Sequence, residues 1–182
     1  KAVAHNFKQV KKVSGKKIKV MAVVKANAYG HGTVEVSEVL ERLGVDYPGV
    51  ATTDEAMRLR DHGIKTPILI LGHVLPQEVK SAIERDITLT VSSEELLSAI
   101  RKVASSAKKA TIHIKIDTGM GRLGIWHEEA MNFIKNRAAD KNIIVEGIYT
   151  HFSSVGRDDF FTAYQFDSFE KILSKLESFD IN

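Results

Sequence analysis

The chain has 182 residues, of which 43% are hydrophobic and 27% charged, and its formal net charge is +3. This composition is that of a globular protein and excludes disorder and a coiled coil, and the small charge gives no reason to expect a nucleic-acid partner. The absence of cysteine excludes a disulfide scaffold, a zinc finger and a thiol nucleophile. We see no signal peptide and no apolar run near the ~20 residues of a membrane span, so we expect a cytoplasmic protein without a membrane partner.

Short apolar runs alternate with helical apolar spacing along the chain. Strands are predicted at residues 20–24, 49–52, 67–71, 87–91, 110–116 and 145–151. Helices are predicted at residues 2–13, 33–43, 54–62, 76–84, 128–139 and 161–179. We expect Thr53 to cap the helix that follows it, and Ser92 or Ser93 to cap a further helix that ends near Ala104.

Strands that alternate with helices pair in parallel through right-handed crossovers. Two architectures fit, a doubly wound open sheet and a (β/α)8 barrel of the TIM type. A complete barrel takes about 250 residues, so the six βα units of this chain would form an incomplete barrel. No linker interrupts residues 1–182, and we expect one domain. In both architectures the chemistry belongs at the carboxyl ends of the strands.

A lysine stands at the end of the first predicted strand, in the segment Val24-Lys25-Ala26-Asn27-Ala28-Tyr29-Gly30-His31-Gly32. Burial disfavours an ammonium ion and lowers its pKa, and the free amine is the nucleophile that Schiff-base chemistry needs. The glycines let the backbone approach a ligand closely. The same position also suits a lysine that reaches solvent beside an ordinary glycine turn.

A second glycine-rich segment, Gly119–Gly124, follows the fifth predicted strand and has the GxGxxG spacing of a dinucleotide-binding loop before a helix. Such a loop requires an acidic residue about 20 positions later, and Asp140 and Glu146 lie near that place. Four strands precede the segment, whereas the fingerprint usually follows the first strand of its fold. A dinucleotide-binding domain that uses Gly119–Gly124 is therefore an alternative function.

The segment around Lys25 resembles the pyridoxal-phosphate attachment signature of the alanine racemase family. The resemblance extends through nearly the whole chain, because Asp117-Thr118-Gly119-Met120-Gly121-Arg122-Leu123-Gly124 and Tyr149-Thr150-His151-Phe152 follow in the family's order. It implies an N-terminal pyridoxal-phosphate-binding barrel domain over residues 1–182. The implied enzyme interconverts L- and D-alanine and supplies D-alanine for peptidoglycan.

The same resemblance implies roles for three of these side chains. Lys25 would hold pyridoxal phosphate as an internal aldimine and then act as the base on one face of the substrate α-carbon. Tyr29 would bind the phosphate of the cofactor. Arg122 would contact the substrate carboxylate and the phenolic oxygen of the cofactor, and its fixed fork of donors suits both partners.

Three further residues acquire roles only from the resemblance. Leu71 and His151 would lie beside the cofactor ring, although each also fits an ordinary core position. Lys115 would carry a carbamate that pairs with the arginine, although a strand lysine that reaches solvent is the plainer interpretation. The remaining histidines lack HExxH or clustered ligand spacing, so no catalytic metal is expected.

In the family, the second base is a tyrosine of a C-terminal β-rich domain, delivered across a homodimer interface. None of the four tyrosines of this chain matches it, and the later phosphate-binding segment is also missing. We therefore expect the chain to be the N-terminal part of such an enzyme, without the C-terminal β domain and poorly active alone. A stand-alone pyridoxal-phosphate-binding barrel protein is the remaining alternative.

Overall fold

The computed structural model describes residues 1–136 and 140–178. The chain divides into two compact units, Lys1–Leu89 and Thr90–Asn182. The division falls inside one strand, because residues 87–91 are continuously extended. In the described part of the chain, no helix is both long and apolar enough to span a bilayer.

The first unit contains four strands that pair in parallel in chain order, each with the next. Its elements are α1 (Ala2–Ser14), β1 (Met21–Val23), α2 (Lys25–Tyr29), α3 (Thr33–Arg42), β2 (Tyr47–Val50), α4 (Thr53–Asp61), β3 (Ile68–Ile70), a 3-10 turn (Pro76–Glu78), α5 (Val79–Glu84) and β4 (Ile87–Val91). The register places Val23 beside Gly49 and Leu69 beside Thr88. The carboxyl ends of β1, β2 and β3 therefore lie at one edge of this sheet.

The core of the first unit forms around β3, whose three residues are all fully buried. Continuous apolar runs of this kind are typical of parallel strands covered on both faces. Leu59 on the inner side of α4 is also fully buried. Burial of one such side chain stabilises a fold by roughly 1.5–3 kcal/mol, so these residues fix the frame behind the strand ends.

At the amino ends of β3 and β4, one guanidinium group binds four backbone carbonyl oxygens. Arg60 of α4 donates to Ile64 at 2.7 Å and to Thr66 at 2.9 Å. It also donates to Arg85 at 2.9 Å and to Asp86 at 2.8 Å. Two successive connections, each leading into a strand, are thus attached to a single side chain of one helix.

The second unit is built around β5, which pairs in parallel with both of the other described strands that lie wholly within this unit. Its elements are α6 (Glu94–Val103), β5 (Ala110–Asp117), β6 (Ile125–Trp126), α7 (Ala130–Lys135), β7 (Ile143–Tyr149) and α8 (Asp159–Ser178). The register of β5 against β7 shifts between Ile112 and His113. Alternate isoleucines of β5 at positions 112, 114 and 116 are fully buried and form the centre of this core.

The six predicted strands are all found: β4 has the predicted ends, the other five have shifted ends, and β6 is an additional strand. β2 begins at Tyr47, two residues before the predicted start, because Pro48 continues the strand beside Ala22. The predicted cap Thr53 is wrong, since the hydroxyl of Thr52 accepts the hydrogen bond from the backbone N–H of Glu55. Of the two candidate serines, Ser93 caps α6.

The predicted helices differ from the observed ones mainly at their ends. The segment 76–84 is divided between a 3-10 turn and α5, and the proline is the first residue of the turn. The predicted helix 128–139 is observed as α7, and its last three residues lie outside the described part of the chain. The predicted helix 161–179 begins two residues earlier in α8, and residue 179 also lies outside the described part.

Candidate active site

Lys25 follows β1 directly, at the carboxyl edge of the sheet of the first unit. The buried Val24 before it donates its backbone N–H to the carbonyl of Gly49 at 2.8 Å, so the chain is still attached to β2 at this point. The lysine side chain is partly exposed. A primary amine therefore stands at a fixed strand end with access to solvent.

The segment α2 is a left-handed turn, and we call it the lysine turn (Lys25–Tyr29). Ala26, Asn27, Ala28 and Tyr29 have φ values of 51°, 55°, 49° and 54°. Residues other than glycine pay about 1–2 kcal/mol each for this conformation, and they rarely adopt it consecutively. A strained backbone of this kind persists only where surrounding interactions hold it, and it is concentrated at functional sites.

Hydrogen bonds hold the far side of the lysine turn. The side-chain oxygen of Asn27 accepts the backbone N–H of Thr33 at 3.1 Å. The hydroxyl of Thr33 donates in turn to the carbonyl of Val24 at 2.9 Å. The start of α3 is thereby attached to the middle of the turn and to the residue that precedes it.

The near side of the turn is held by Glu55, which the sequence analysis did not identify. Its Oε1 accepts the backbone N–H of Ala26, the residue after the lysine, and its Oε2 accepts the N–H of Ala51, each at 2.7 Å. A glutamate in the first turn of a helix resembles an ordinary surface residue. Its spacing from Lys25 carries no local signal, so sequence alone did not reveal the contact.

Two other predicted site residues lie at the ends of the same unit's strands or turns. Tyr29 ends the lysine turn, and 64% of its surface is exposed, so its hydroxyl is accessible to a ligand. Leu71 follows β3, is partly exposed and donates its N–H to Val50 at 2.7 Å. Its Cδ1 lies 3.1 Å from where a Cβ of Gly49 would stand, so Leu71 covers the end of β2.

In the second unit, Lys115 of β5 is only 5% exposed, which excludes the interpretation that it reaches solvent. Its Nζ lies 5.5 Å from the centroid of the Tyr149 ring. The hydroxyl of Tyr149 shares a 2.8 Å hydrogen bond with that of Thr90. Burial raises the pKa of Tyr149, although the hydrogen bond to Thr90 and the positive charge of Arg122 act in the opposite direction.

Arg122 is exposed in the segment Gly119–Gly124, which we call the glycine loop. The carboxylate of Asp117 accepts the N–H of Gly119 at 2.9 Å and that of Gly121 at 3.0 Å. The predicted strand–loop–helix order is wrong, because β6 follows the loop directly. The N–H groups that would bind a pyrophosphate are already bonded to a carboxylate, which argues against the dinucleotide alternative.

His151 lies two residues after β7 with an exposed side chain, so it is not an ordinary core histidine. Its carbonyl accepts a 3.2 Å hydrogen bond from Nε2 of Gln165, a fully buried residue of α8. The same amide donates to the hydroxyl of Thr118 at 3.3 Å and accepts the N–H of Ser153 at 2.9 Å. Gln165 was not predicted as a site residue, although its helical spacing from the apolar Phe161 and Ile172 marks the inner face of α8.

The six predicted site residues thus divide between the units. Lys25, Tyr29 and Leu71 lie at strand ends or turns of the first unit, and Lys115, Arg122 and His151 lie on or after β5 and β7 of the second. Among the described residues, no group of three or more histidine, aspartate or glutamate side chains is arranged to bind a metal ion. The available chemistry is an amine, a phenol, a guanidinium and an imidazole.

Comparison with known proteins assigns this chain to a family. The family model for the N-terminal domain of alanine racemase matches residues 1–182. The chain is 45% identical over 179 residues to alanine racemase 1 of Caldanaerobacter subterraneus subsp. tengcongensis, which covers 97% of this chain and 46% of that protein. It is 46% identical over 179 residues to the alanine racemase of Methanococcus maripaludis, with 97% and 48% covered.

Solved structures give the same result. The alanine racemase of Clostridium difficile 630 in complex with cycloserine superposes with a TM-score of 0.94 at 36% identity, over 99% of this chain and 50% of that chain. The alanine racemase of Bacillus anthracis with bound L-Ala-P gives a TM-score of 0.89 at 34% identity, over 100% and 47%. These likenesses confirm the predicted fold class, the N-terminal α/β barrel portion of such enzymes. The chain spans about half the length of the curated relatives it matches, and it belongs to the alanine racemase family.

Proposed function

We propose that this chain is the pyridoxal-phosphate-binding part of an enzyme that interconverts L- and D-alanine. The observation that carries the proposal is the position of Lys25. It is a solvent-accessible amine in a restrained left-handed turn at a strand end, within a chain 45% identical to a named alanine racemase. No feature of the described residues favours a second function to the same degree.

The residues present fit pyridoxal phosphate by their chemistry. An aldehyde needs a primary amine, which Lys25 offers, and a phosphate needs exposed donors, which the hydroxyl of Tyr29 supplies. The guanidinium of Arg122 is suited to a carboxylate or a phenolic oxygen. Leu71 and His151, both accessible at strand ends, suit the flat ring of the cofactor.

Racemisation requires the removal of a weakly acidic α-proton and its return to the opposite face. When bound, pyridoxal phosphate supplies the electron sink for the charge left at the α-carbon. Lys25 would have two tasks in this proposal, since its Nζ would hold the cofactor and, as a free amine, would accept or return the proton on one face of the α-carbon. The restrained turn fixes the backbone position from which the Lys25 side chain extends, which matters because a misplacement of a reacting group by about 1 Å can reduce a rate 10²-fold.

The second base is not assigned to any residue of this chain. We propose that a tyrosine of a C-terminal β-rich domain supplies it across a homodimer interface, as the family resemblance implies. The substrate pocket would then be shared with that domain. The isolated 182-residue chain is accordingly expected to bind cofactor but to turn over poorly, and the complete enzyme is proposed to act in the cytoplasm.

We also propose that Lys115 carries a carbamate that orients Arg122. Lys115 is buried, burial disfavours the charged form of a lysine, and a neutral amine adds to carbon dioxide with formation of an N–C bond and loss of one proton. The product is an anion that an arginine can pair with. Labelled bicarbonate and carbon NMR would detect the carbamate in the wild type, and its signal would have to vanish in Lys115→Ala.

The first experiment is to add pyridoxal phosphate to the purified chain, record its visible spectrum, reduce it with borohydride and map the modified peptide. We expect a pyridoxyl group on Lys25, none in Lys25→Ala, and an unchanged adduct in the control Lys19→Ala. The full-length gene product is treated in the same way and assayed with L-alanine and L-serine. An unmodified Lys25 in both proteins would contradict the proposal, and racemisation of serine alone would correct its substrate.

A further inference from the structure

The carboxylate of Glu55 connects two strand ends that are far apart in sequence. Its two oxygens each accept one backbone N–H at 2.7 Å, from Ala26 after β1 and from Ala51 after β2. Both bonds are short and charge-assisted, which makes them about twice as strong as neutral hydrogen bonds. Glu55 itself is fixed, because its own N–H donates to the Thr52 cap of α4.

The lysine turn needs this connection because its backbone is strained. Asn27 accepts the N–H of Thr33 two residues after the lysine, and the hydroxyl of Thr33 donates to the carbonyl of Val24 just before it, so neither bond engages the N–H of the peptide between Lys25 and Ala26. The peptide between Lys25 and Ala26 sets the direction in which the lysine side chain leaves the strand. The N–H of that peptide is the group that Glu55 binds.

We propose that Glu55 is a positioning residue for Lys25. This inference rests on the proposed function, and it adds a residue of α4 that acts through the backbone without touching the cofactor or the substrate. Glu55 holds the first left-handed residue of the turn, and the amine of Lys25 is thereby kept where it can meet an aldehyde.

The test uses the full-length gene product and compares Glu55→Gln with the control Asp54→Asn, which removes the neighbouring exposed carboxylate of the same helical turn. The probe is pyridoxal phosphate, and the readout is the rate at which borohydride-trappable adduct forms on Lys25. We expect Glu55→Gln to reduce this rate about tenfold, because the glutamine amide keeps one acceptor and turns an NH₂ group towards a backbone N–H. The control should match the wild type.

A second readout does not depend on the cofactor. In the protein without pyridoxal phosphate, the amide of Ala26 should exchange its hydrogen about tenfold faster in Glu55→Gln, while the amides of β3 keep their protection. The substitution Ala26→Gly then tests the cause. Glycine adopts the left-handed conformation without a Cβ penalty, so Glu55→Gln should reduce the adduct rate only about threefold or less in the Ala26→Gly background.

The outcomes separate the two proposals. If the wild type forms no adduct on Lys25, both the proposed function and this inference fail. If the wild type forms it and Glu55→Gln does so equally fast, only the inference fails. If Glu55→Gln forms the adduct slowly and is slowed just as much in the Ala26→Gly background, Glu55 acts through general stability and the positioning role is wrong.

Discussion

The lysine turn and the glycine loop both carry positive φ angles after a strand, but they achieve them with different residues. In the glycine loop, Gly119, Gly121 and Gly124 adopt φ values of 133°, 67° and 140°, where the absence of a Cβ removes the penalty. The lysine turn uses four consecutive residues that all have a Cβ. The conformation of the glycine loop is therefore favoured by its own residues, whereas that of the lysine turn is imposed by the surrounding structure.

A carboxylate holds each segment, since Asp117 accepts two N–H groups of the glycine loop and Glu55 accepts one of the lysine turn and one after β2, and the two carboxylates differ in their sequence distance from the segment. Asp117 binds residues two and four positions after itself. Glu55 binds Ala26, which lies 29 positions before it. The glycine loop can therefore form as soon as its own strand ends, while the lysine turn requires β2 and α4 to be in place. The amine of Lys25 is thus positioned by folding of the whole first unit.

The largest effect is expected where the glycine loop joins the buried amide of Gln165. Gln165→Leu removes the buried partner of the N–H of Ser153 and of the carbonyl of His151, and we expect the free energy of unfolding to fall by about 2–4 kcal/mol. Urea denaturation measures it. The exposed Gln9→Leu on α1 is the control and should change stability by less than ~0.5 kcal/mol. Equal effects of the two variants would show that the buried amide is not an anchor.

Substitution of the glycines tests whether the glycine loop is encoded locally. A Cβ on Gly124 would stand 2.7 Å from the nitrogen of Asp117 and 3.0 Å from the carbonyl carbon of Ile116, so Gly124→Ala should cost about 2–3 kcal/mol. At Gly121 a Cβ has open space, and Gly121→Ala should cost only about 1 kcal/mol from its positive φ. Denaturant unfolding of both variants measures the difference. Equal losses of stability in Gly124→Ala and Gly121→Ala would contradict the idea that the close contacts at Gly124 constrain the glycine loop.

In the lysine turn, a substitution to glycine should increase the stability of the protein. Ala26→Gly relieves about 1–2 kcal/mol of left-handed strain and costs about 0.4–1 kcal/mol through the unfolded chain, so we expect a net stabilisation of roughly 0.5–1 kcal/mol. The control Ala22→Gly in β1 has no strain to relieve and should destabilise by a similar amount. Thermal unfolding of the pair measures both. Destabilisation by both variants would mean that the turn is not strained.

The sequence predicted the parts of this structure that repeat a pattern. Apolar runs located the strands, and the segment around Lys25 indicated the family. β6 was missed because Ile125-Trp126 is too short to show a period. The left-handed turn was missed because, apart from Asn27, its residues have no local preference for that conformation. Glu55 and Gln165 were missed because their partners lie far away in sequence, so only the fold brings them together.

The smallest expected effect concerns a third carboxylate, at the amino end of β1. The backbone N–H of Val20 donates to Asp46 at 2.7 Å and is the main cause that holds the pKa of this carboxyl below its ordinary value of 3.8, despite the opposing effect of burial and with help from Lys11. The unfolded chain then binds more protons than the folded one, so this contribution is present above pH 3.8 and is lost as the pH falls through the lower, folded pKa.

Comparison of the wild type with Asp46→Asn measures that contribution. The difference in the free energy of unfolding should be constant from pH 7 to 5, below ~1 kcal/mol for this partly exposed pair, and should shrink only under pH 4. A difference that shrinks between pH 7 and 5 would contradict the assignment of the pKa to this hydrogen bond.

The guanidinium of Arg60 has a consequence for the order in which the first unit assembles. Its four carbonyl acceptors belong to the connection before β3 and to the connection before β4, up to 26 residues away. If only one connection is in place, some N–H groups of the Arg60 guanidinium lack their carbonyl acceptors. The two successive βα units are therefore expected to fold as one cooperative unit. The position of Lys25 therefore depends on contacts at the opposite end of the sheet. Until Arg60 has bound both connections, the chain has no rigid β2–α4 segment to hold the lysine turn.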